Sequence, residues 1–85
     1  MSTVVSFGVR VLDGECEPVP GLELGARYKY ENNPSTWTSA TTDGDGLARF
    51  RDEHSESPLR VDVYLGDSFA ETFPVVEGST VVLEV

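Results

Sequence analysis

The stretch TTDGDGLARF, residues 41–50, contains two aspartates that alternate with two glycines. The aspartate carboxylates are a residue type that binds cations. Calcium takes roughly six to eight oxygen ligands, and carboxylates supply many of them. The stretch lacks the third acidic or amide position and the distal glutamate of an EF-hand loop. A calcium site here therefore needs several loops, and the predicted ligands are Asp13, Asp43, Asp45 and Asp67. The favoured interpretation is an acidic turn whose glycines supply backbone freedom, and the calcium site is the weaker hypothesis.

Catalysis by a nucleophile needs a base within reach, and histidine is the usual base. His54 is the only histidine, and it lies in DEHSESP, residues 52–58, beside acids and serines. A Ser–His–Asp arrangement can be drawn from this segment, but a triad depends on geometry that a single exposed loop does not hold. The chain also lacks a P-loop, a Cys–His metal cluster and a dinucleotide fingerprint. We therefore predict a solvated loop and a protein that is not an enzyme.

A third candidate site surrounds Trp37, the only tryptophan. Its same-face neighbours in TWTSATT are Ser39 and Thr41, so alternation along the strand does not bury it. An exposed tryptophan near amides stacks on a sugar or anchors a protein partner. The favoured interpretation is that Trp37 nevertheless fills the core, and the candidate ligand or partner site is Trp37 with Tyr30 and Asn32.

The elements that position these residues are short β-strands, because apolar residues recur at every second position and turn residues interrupt them. The predicted inward faces are Phe7, Val9 and Val11; Leu22, Leu24, Ala26, Tyr28 and Tyr30; Ala48 and Phe50; Leu59, Val61, Val63 and Leu65; and Val81, Leu83 and Val85. Phe69 and Phe73 begin a further strand. With TWTSATT this gives about seven strands and no capped helical segment. The pattern predicts an all-β, antiparallel Greek-key sandwich forming one domain over residues 1–85.

Edge strands are a further candidate for function. We predict three edge strands: TWTSATT, the strand that contains Pro74, and the terminal TVVLEV. For the strand with Pro74 the reason is that proline is tolerated only at an edge or a bulge. An open edge accepts another strand by β-augmentation. A homodimer formed through such an edge is therefore a further prediction.

The order of these signals resembles that of a known group of domains. VRVLDGECEPVPGLEL, followed by Thr42, Asp43, Gly46, Ala48 and Phe50, resembles transthyretin-like and carboxypeptidase-regulatory-like domains and the related B-type repeats of collagen adhesins. The resemblance implies an Ig-like or prealbumin-like sandwich that serves as a non-catalytic structural or protein-interaction module. A carbohydrate-binding module is the alternative.

This sequence lacks the residues that the enzymes of this group use. The resemblance extends to 5-hydroxyisourate hydrolase, which uses two histidines and a Tyr-Arg-Gly-Ser terminus, whereas this chain has one histidine and ends in Leu-Glu-Val. A remote hydrolase of that type is therefore the least favoured function. The Lys–Asn isopeptide bond of the adhesin repeats is also not expected, because the only lysine, Lys29, lies on the second predicted strand.

Charge narrows the classes of partner. The 85 residues carry a formal net charge of −9 with only six basic side chains, which disfavours nucleic acid and anionic membrane surfaces. No cofactor is expected other than the calcium considered above, and the single Cys16 forms no internal disulfide. The partner is expected to be a protein, or the host polypeptide if the domain is excised. No signal peptide is visible, so the expected location is cytoplasmic if Met1 is native and extracellular if the domain is excised.

Overall fold

The computed structural model describes residues 3–85, which form seven β-strands in two sheets. The strands are β1 (Thr3–Leu12), β2 (Glu23–Lys29), β3 (Thr36–Thr41), β4 (Leu47–His54), β5 (Arg60–Leu65), β6 (Ser68–Pro74) and β7 (Thr80–Glu84). The all-β prediction and the number of strands are confirmed for this range. Within these residues there is also no helix long and apolar enough to cross a membrane.

The strands divide into a three-stranded sheet, in the order β4-β1-β7, and a four-stranded sheet, in the order β3-β2-β5-β6. Every pair but one is antiparallel, as the sequence predicts. The exception is β1 with β7, which run parallel from Gly8 opposite Thr80 to Leu12 opposite Glu84. The expectation of a wholly antiparallel arrangement is therefore wrong at this pair. Parallel neighbours need a crossover connection, and the intervening chain supplies one by passing through both sheets.

A single apolar cluster lies between the two sheets and gives a sandwich-like arrangement. The three-stranded sheet contributes Phe7, Val9, Val11, Ala48, Phe50 and Leu83, and the four-stranded sheet contributes Leu24, Ala26, Tyr28, Val61 and Val63. These are the positions that period-two alternation selects in β1, β2, β4, β5 and β7, so the predicted inward faces are largely confirmed. Leu59 and Val85 are exceptions, because Leu59 precedes β5, Val85 follows β7 and both are exposed.

The three predicted edges are all edges in the structure: β3 and β6 border the four-stranded sheet, and β7 borders the three-stranded one. In β6 the register with β5 shifts at Val63 and Tyr64, which marks a β-bulge. A bulge inserts a residue into one strand and changes which side chains point to which face. Phe69 consequently points outward while Phe73 packs against the core, although their even spacing along one strand would place both on the same face.

The acidic segment that was predicted to be a loop is partly a strand. β4 continues through His54 because Thr3 of β1 pairs with it. This extension buries His54, which retains 3% of its accessible surface, so the prediction of a solvated histidine is wrong.

Candidate binding surface

Three aromatic side chains form a continuous group on the outer face of the four-stranded sheet. The rings of Trp37 and Tyr64 have centroids 5.1 Å apart with a tilt of 58°, and those of Tyr64 and Phe69 are 5.6 Å apart with a tilt of 76°. We call these three residues the aromatic row. Trp37 and Phe69 retain 53% and 57% of their accessible surface. The row therefore extends from edge strand β3 to edge strand β6 and offers aromatic surface to a ligand.

The strand between Trp37 and Tyr64 contributes a glycine rather than a side chain. Gly25 on β2 lies opposite Ser39 of β3 and Tyr64 of β5, and the indole of Trp37 covers it. A Cβ atom at residue 25 would overlap Cζ2 and Cη2 of that indole. Gly25 has no left-handed φ, so the glycine is needed here for space alone.

A basic side chain borders the row. Arg27 neighbours Trp37 across the β2–β3 ladder, and its guanidinium carbon lies 5.7 Å from the centroid of the Tyr64 ring. That distance is within the range of a cation–π contact. Arg27 is itself exposed, so it adds a charged group at the margin of an otherwise apolar surface.

The predicted partners of Trp37 lie elsewhere. Tyr30 is half-buried against the core, and its hydroxyl hydrogen-bonds with Thr36 Oγ1 at 2.9 Å and with His54 Nδ1 at 2.5 Å. The backbone and side-chain amides of Asn32 donate to the carboxylate of Glu56 at 3.2–3.3 Å. In the β2–β3 register Trp37 is opposite outward-facing Arg27, whereas Tyr30 continues the inward-facing series of Tyr28. The structure therefore does not bring Trp37 together with Tyr30 and Asn32.

His54 lies in a buried aromatic environment. Its ring centroid is 4.4 Å from that of Tyr28 and 5.7 Å from that of Tyr30. Nε2 has no hydrogen-bond partner among the described residues. Burial lowers the pKa of His54, and the opposing attraction of the Asp52 carboxylate is smaller. A neutral imidazole carries one N–H rather than the two of the cation, so the unpartnered Nε2 and the lowered pKa both favour the neutral form.

Next to His54, a tyrosine hydroxyl links the two sheets. Tyr28 Oη donates to Asp52 Oδ2 at 2.8 Å. Burial, and then this hydrogen bond to a carboxylate, raise the pKa of Tyr28 above its ordinary value. The phenol is thus held in its neutral form, and Asp52 is engaged as its acceptor. An open depression lined by Tyr30, Thr36, Glu53, His54 and Ser55 borders this region.

The two acidic loops at the opposite end share one geometry. In the loop of residues 13–17, Oδ1 of Asp13 accepts the N–H groups of Glu15 and Glu17 at 2.8 and 3.0 Å. In the loop of residues 43–47, Oδ1 of Asp43 accepts the N–H groups of Asp45 and Leu47 at 2.8 and 3.1 Å.

The backbone hydrogen bonds of the two loops also match each other. The first residue of each loop donates its N–H to the carbonyl of the fifth, at 2.8 and 3.0 Å, and the fourth donates to the carbonyl of the first, at 3.0 and 2.9 Å. The fourth residue has a left-handed φ in both loops, 64° at Cys16 and 74° at Gly46. The aspartate of each loop therefore closes a turn.

The four predicted calcium ligands are not gathered into one cluster in the structure. Asp13 and Asp43 accept hydrogen bonds from their own loops, Asp45 is exposed, and Asp67 lies in the β5–β6 turn. Across residues 3–85 there is no group of three or more His, Cys, Asp or Glu residues placed to hold a metal ion. The two amide hydrogen bonds to Asp43 lower the pKa of its carboxyl group, as expected when a turn stabilises the carboxylate form.

Sequence reasoning found one of the three aromatic residues in the row. Tyr64 was assigned to the outward face of its strand but was not recognised as a binding residue, and Phe69 was assigned to a strand without a face. Two features of the sequence pointed to Tyr64. It alternates along its strand with Arg60 and Asp62 on the outward face, and the residue opposite it in the neighbouring strand is Gly25. Phe69 carried no such signal, because the bulge that turns it outward depends on the pairing of β5 with β6.

Comparisons of the chain with protein-family models, with curated proteins and with solved structures found no match.

Proposed function

We propose that this protein is a non-catalytic protein-interaction module that binds its partner through the aromatic row. The observation that carries the proposal is that exposed Trp37, half-buried Tyr64 and exposed Phe69 form one contiguous surface with Arg27 at its margin. Trp, Tyr and Arg are the residue types enriched at binding hot spots, because each combines large contact area with a polar or charged group. Contiguous exposed apolar surface of this kind marks interaction sites in soluble proteins.

The shape of the surface supports a protein partner over a small molecule. Small-molecule sites are concave and enclose most of their ligand. The aromatic row lies on the face of a sheet, and its rings are tilted by 58° and 76° rather than coplanar. A partner that inserts side chains between tilted rings fits this relief better than a flat ligand.

We infer that the fold belongs with Greek-key sandwiches of the transthyretin-like and carboxypeptidase-regulatory-like type. Support comes from the connectivity, in which β1 to β2, β3 to β4, β4 to β5 and β6 to β7 each pass between the two sheets. The motif residues also occupy the expected kinds of position: Gly46 at a left-handed turn, and Ala48 and Phe50 in the core that follows it. The proposed role is that of accessory modules in such groups.

Carbohydrate binding is the second candidate, favoured by one observation at Trp37. One side of the indole covers Gly25, and 53% of the side chain remains accessible. A ring supported in this way offers an aromatic surface on which the apolar face of a sugar stacks. Because Trp37 is the only tryptophan, its fluorescence reports directly on any sugar that binds there.

The test compares capture of a partner by immobilised wild type and by three variants, in extracts of the source organism. Trp37→Ala and Phe69→Ser remove the two ends of the row. Val82→Ser is the matched control, because Val82 is 55% exposed but lies on the three-stranded sheet. A protein that Val82→Ser retains and both row variants lose supports the proposal. A partner retained by all four proteins contradicts it, and saturable fluorescence changes with oligosaccharides alone favour the second candidate.

A further inference from the structure

The four edge strands differ in how well they are protected against pairing with another chain. Natural sheets protect their edges with charged residues, prolines and bulges. β6 has a bulge, Glu71 and Pro74, and β4 carries charge at Arg49, Arg51, Asp52 and Glu53. β7 is short, with five residues, and carries Glu84.

Edge strand β3 has none of these devices. Its six residues, TWTSAT, include no charge and no proline, and its ladder with β2 runs in register from Thr36 to Thr41. Four of the six side chains are exposed: Thr36, Trp37, Ser39 and Thr41. In a chain of net charge −9, β3 is thus an edge that another strand approaches without meeting a charge on the strand itself.

The unpaired backbone groups of β3 can be assigned from the ladder. The N–H of Thr42 donates to the carbonyl oxygen of Leu22 at 2.9 Å. Because antiparallel residues point their amide groups alternately to one side and the other, those of Ala40 and Thr38 also face β2. The N–H and C=O groups of Trp37, Ser39 and Thr41 consequently face away from the sheet.

We propose that a second copy of this chain pairs its β3 antiparallel to the first, joining two four-stranded sheets into one of eight strands. Centred on Ser39, the pairing places Ser39 opposite Ser39 and Trp37 opposite Thr41 of the other copy. This register satisfies the outward-facing amides of both strands with about six hydrogen bonds. It also sets the large indole of each copy against a small side chain, which makes the edge complementary to itself as a two-fold interface requires.

The dimer has a consequence for the surface described above. The two aromatic rows lie on the same face of the joined sheet and meet at the two-fold axis. This dimerisation goes beyond the proposed function and stands on β3 alone, so the two are separable. Phe69→Ser removes one end of the row without touching β3, and it is expected to leave dimerisation unchanged.

The test is sedimentation velocity over a concentration series that reaches about 1 mM, where even a millimolar dimer is populated. Each copy carries −9, so we expect the dimer to tighten as salt rises from about 20 to about 300 mM and screens the repulsion. Ser39→Lys sets two like charges opposite each other at the axis, and Ser68→Lys adds the same charge to exposed edge strand β6. We expect Ser39→Lys to weaken dimerisation at least tenfold and Ser68→Lys to leave it intact or slightly stronger.

Amide exchange gives a readout that does not depend on any variant. The N–H groups of Trp37, Ser39 and Thr41 are expected to gain protection as the protein concentration rises, and those of β6 are not. A wild type that stays monomeric at the highest concentration and salt overturns the proposal. So does a dimer in which Ser39→Lys associates as tightly as Ser68→Lys, or one in which the protected amides lie outside β3.

Discussion

The indole of Trp37 lies over Gly25 on the neighbouring strand, so closely that residue 25 has no room for a Cβ atom. Glycine in the interior of a strand costs about 0.5–1 kcal/mol relative to alanine, because it loses more backbone freedom on folding. The chain accepts that cost at a position where φ does not require glycine. What it gains is contact between β3 and β2, and the positioning of Trp37 against Tyr64.

We therefore expect the effect of Gly25→Ala on the free energy of unfolding to depend on residue 37. In wild type the new methyl group displaces the indole, and the lost contact offsets the gain in strand propensity. In the Trp37→Ala background nothing is displaced, and Gly25→Ala should stabilise the fold by about 0.5–1 kcal/mol. Urea denaturation of the four proteins gives the coupling between the two residues, which we expect to be about 1 kcal/mol.

Two measurements test whether displacement of the Trp37 indole causes this coupling. The emission of Trp37 should shift to longer wavelength in Gly25→Ala, because the displaced indole is more exposed to water. Ser39→Ala changes a nearby exposed side chain of β3 and serves as the control. It should shift neither the emission wavelength of Trp37 nor the coupling energy between residues 25 and 37. Equal effects of Gly25→Ala in the two backgrounds would contradict the packing that we describe.

Much of the fold follows from local pattern, and the exceptions share one physical origin. Alternation identified the buried faces of β1, β2 and β5, because the two-residue period of a strand is a local property. His54 and Phe69 departed from the pattern because their environments depend on pairing between strands. His54 is buried where β4 pairs with the first residues of β1, and Phe69 is exposed by a register shift against β5.

The candidate sites show the same division. The aspartates of residues 13 and 43 were correctly placed in turns, but the hydrogen bonds that their carboxylate oxygens accept could be read only from the structure. Alternation does not bury Trp37, yet the favoured interpretation placed it in the core, which is wrong because 53% of its surface is accessible. Its neighbours were assigned from the sequence nearby. Tyr64 and Phe69 approach it from distant segments, and a single sequence carries no direct record of that contact.

The loops of residues 13–17 and 43–47 share one geometry, and two substitutions at equivalent positions in them should have opposite effects on stability. Cys16 has a φ of 64°, a conformation that disfavours residues other than glycine, and its thiol is free and exposed. Cys16→Gly should therefore stabilise the protein by about 0.5–1 kcal/mol. Gly46 occupies the matching position with a φ of 74°, and a Cβ there would lie 2.7 Å from the carbonyl oxygen of Val11.

For Gly46→Ala we expect a loss of about 2 kcal/mol or more, from the left-handed backbone and the close contact together. Thermal and urea denaturation measure both variants under one set of conditions. Gly44→Ala is the control, since a Cβ at Gly44 meets no atom within 4 Å and its φ is not left-handed. Loss of stability in Cys16→Gly would show that the two loops are not equivalent.

Substitution at Asp43 separates a turn-closing carboxylate from a metal ligand. The Oδ1 atom of Asp43 accepts two backbone N–H groups, and the amide oxygen of asparagine accepts the same two. Asp43→Asn should retain a melting temperature near that of wild type, and Asp43→Ala should lower it. Addition of millimolar Ca²⁺ should raise the melting temperature of none of the three. A calcium-dependent rise that only wild type shows would contradict the turn assignment.

The buried histidine predicts how stability changes in mildly acidic solution. Burial holds the pKa of His54 below its ordinary value of 6.5 in the folded protein, while the unfolded chain titrates near that value. As the pH falls below 6.5 the unfolded state therefore binds more protons than the folded state, and the free energy of unfolding decreases. The lowered pKa values of Asp43 and Glu77 act in the same direction, but only below their ordinary values of 3.8 and 4.5.

Between pH 7 and pH 5 the histidine should consequently dominate the slope. We expect wild type to lose stability across this window and His54→Gln, which does not titrate, to show a much flatter dependence. The comparison uses slopes rather than absolute stabilities, because the substitution also alters the contacts with Tyr28 and Tyr30. Urea denaturation at several pH values gives both curves, and the same slope in the two proteins would mean that the imidazole is not held neutral by burial.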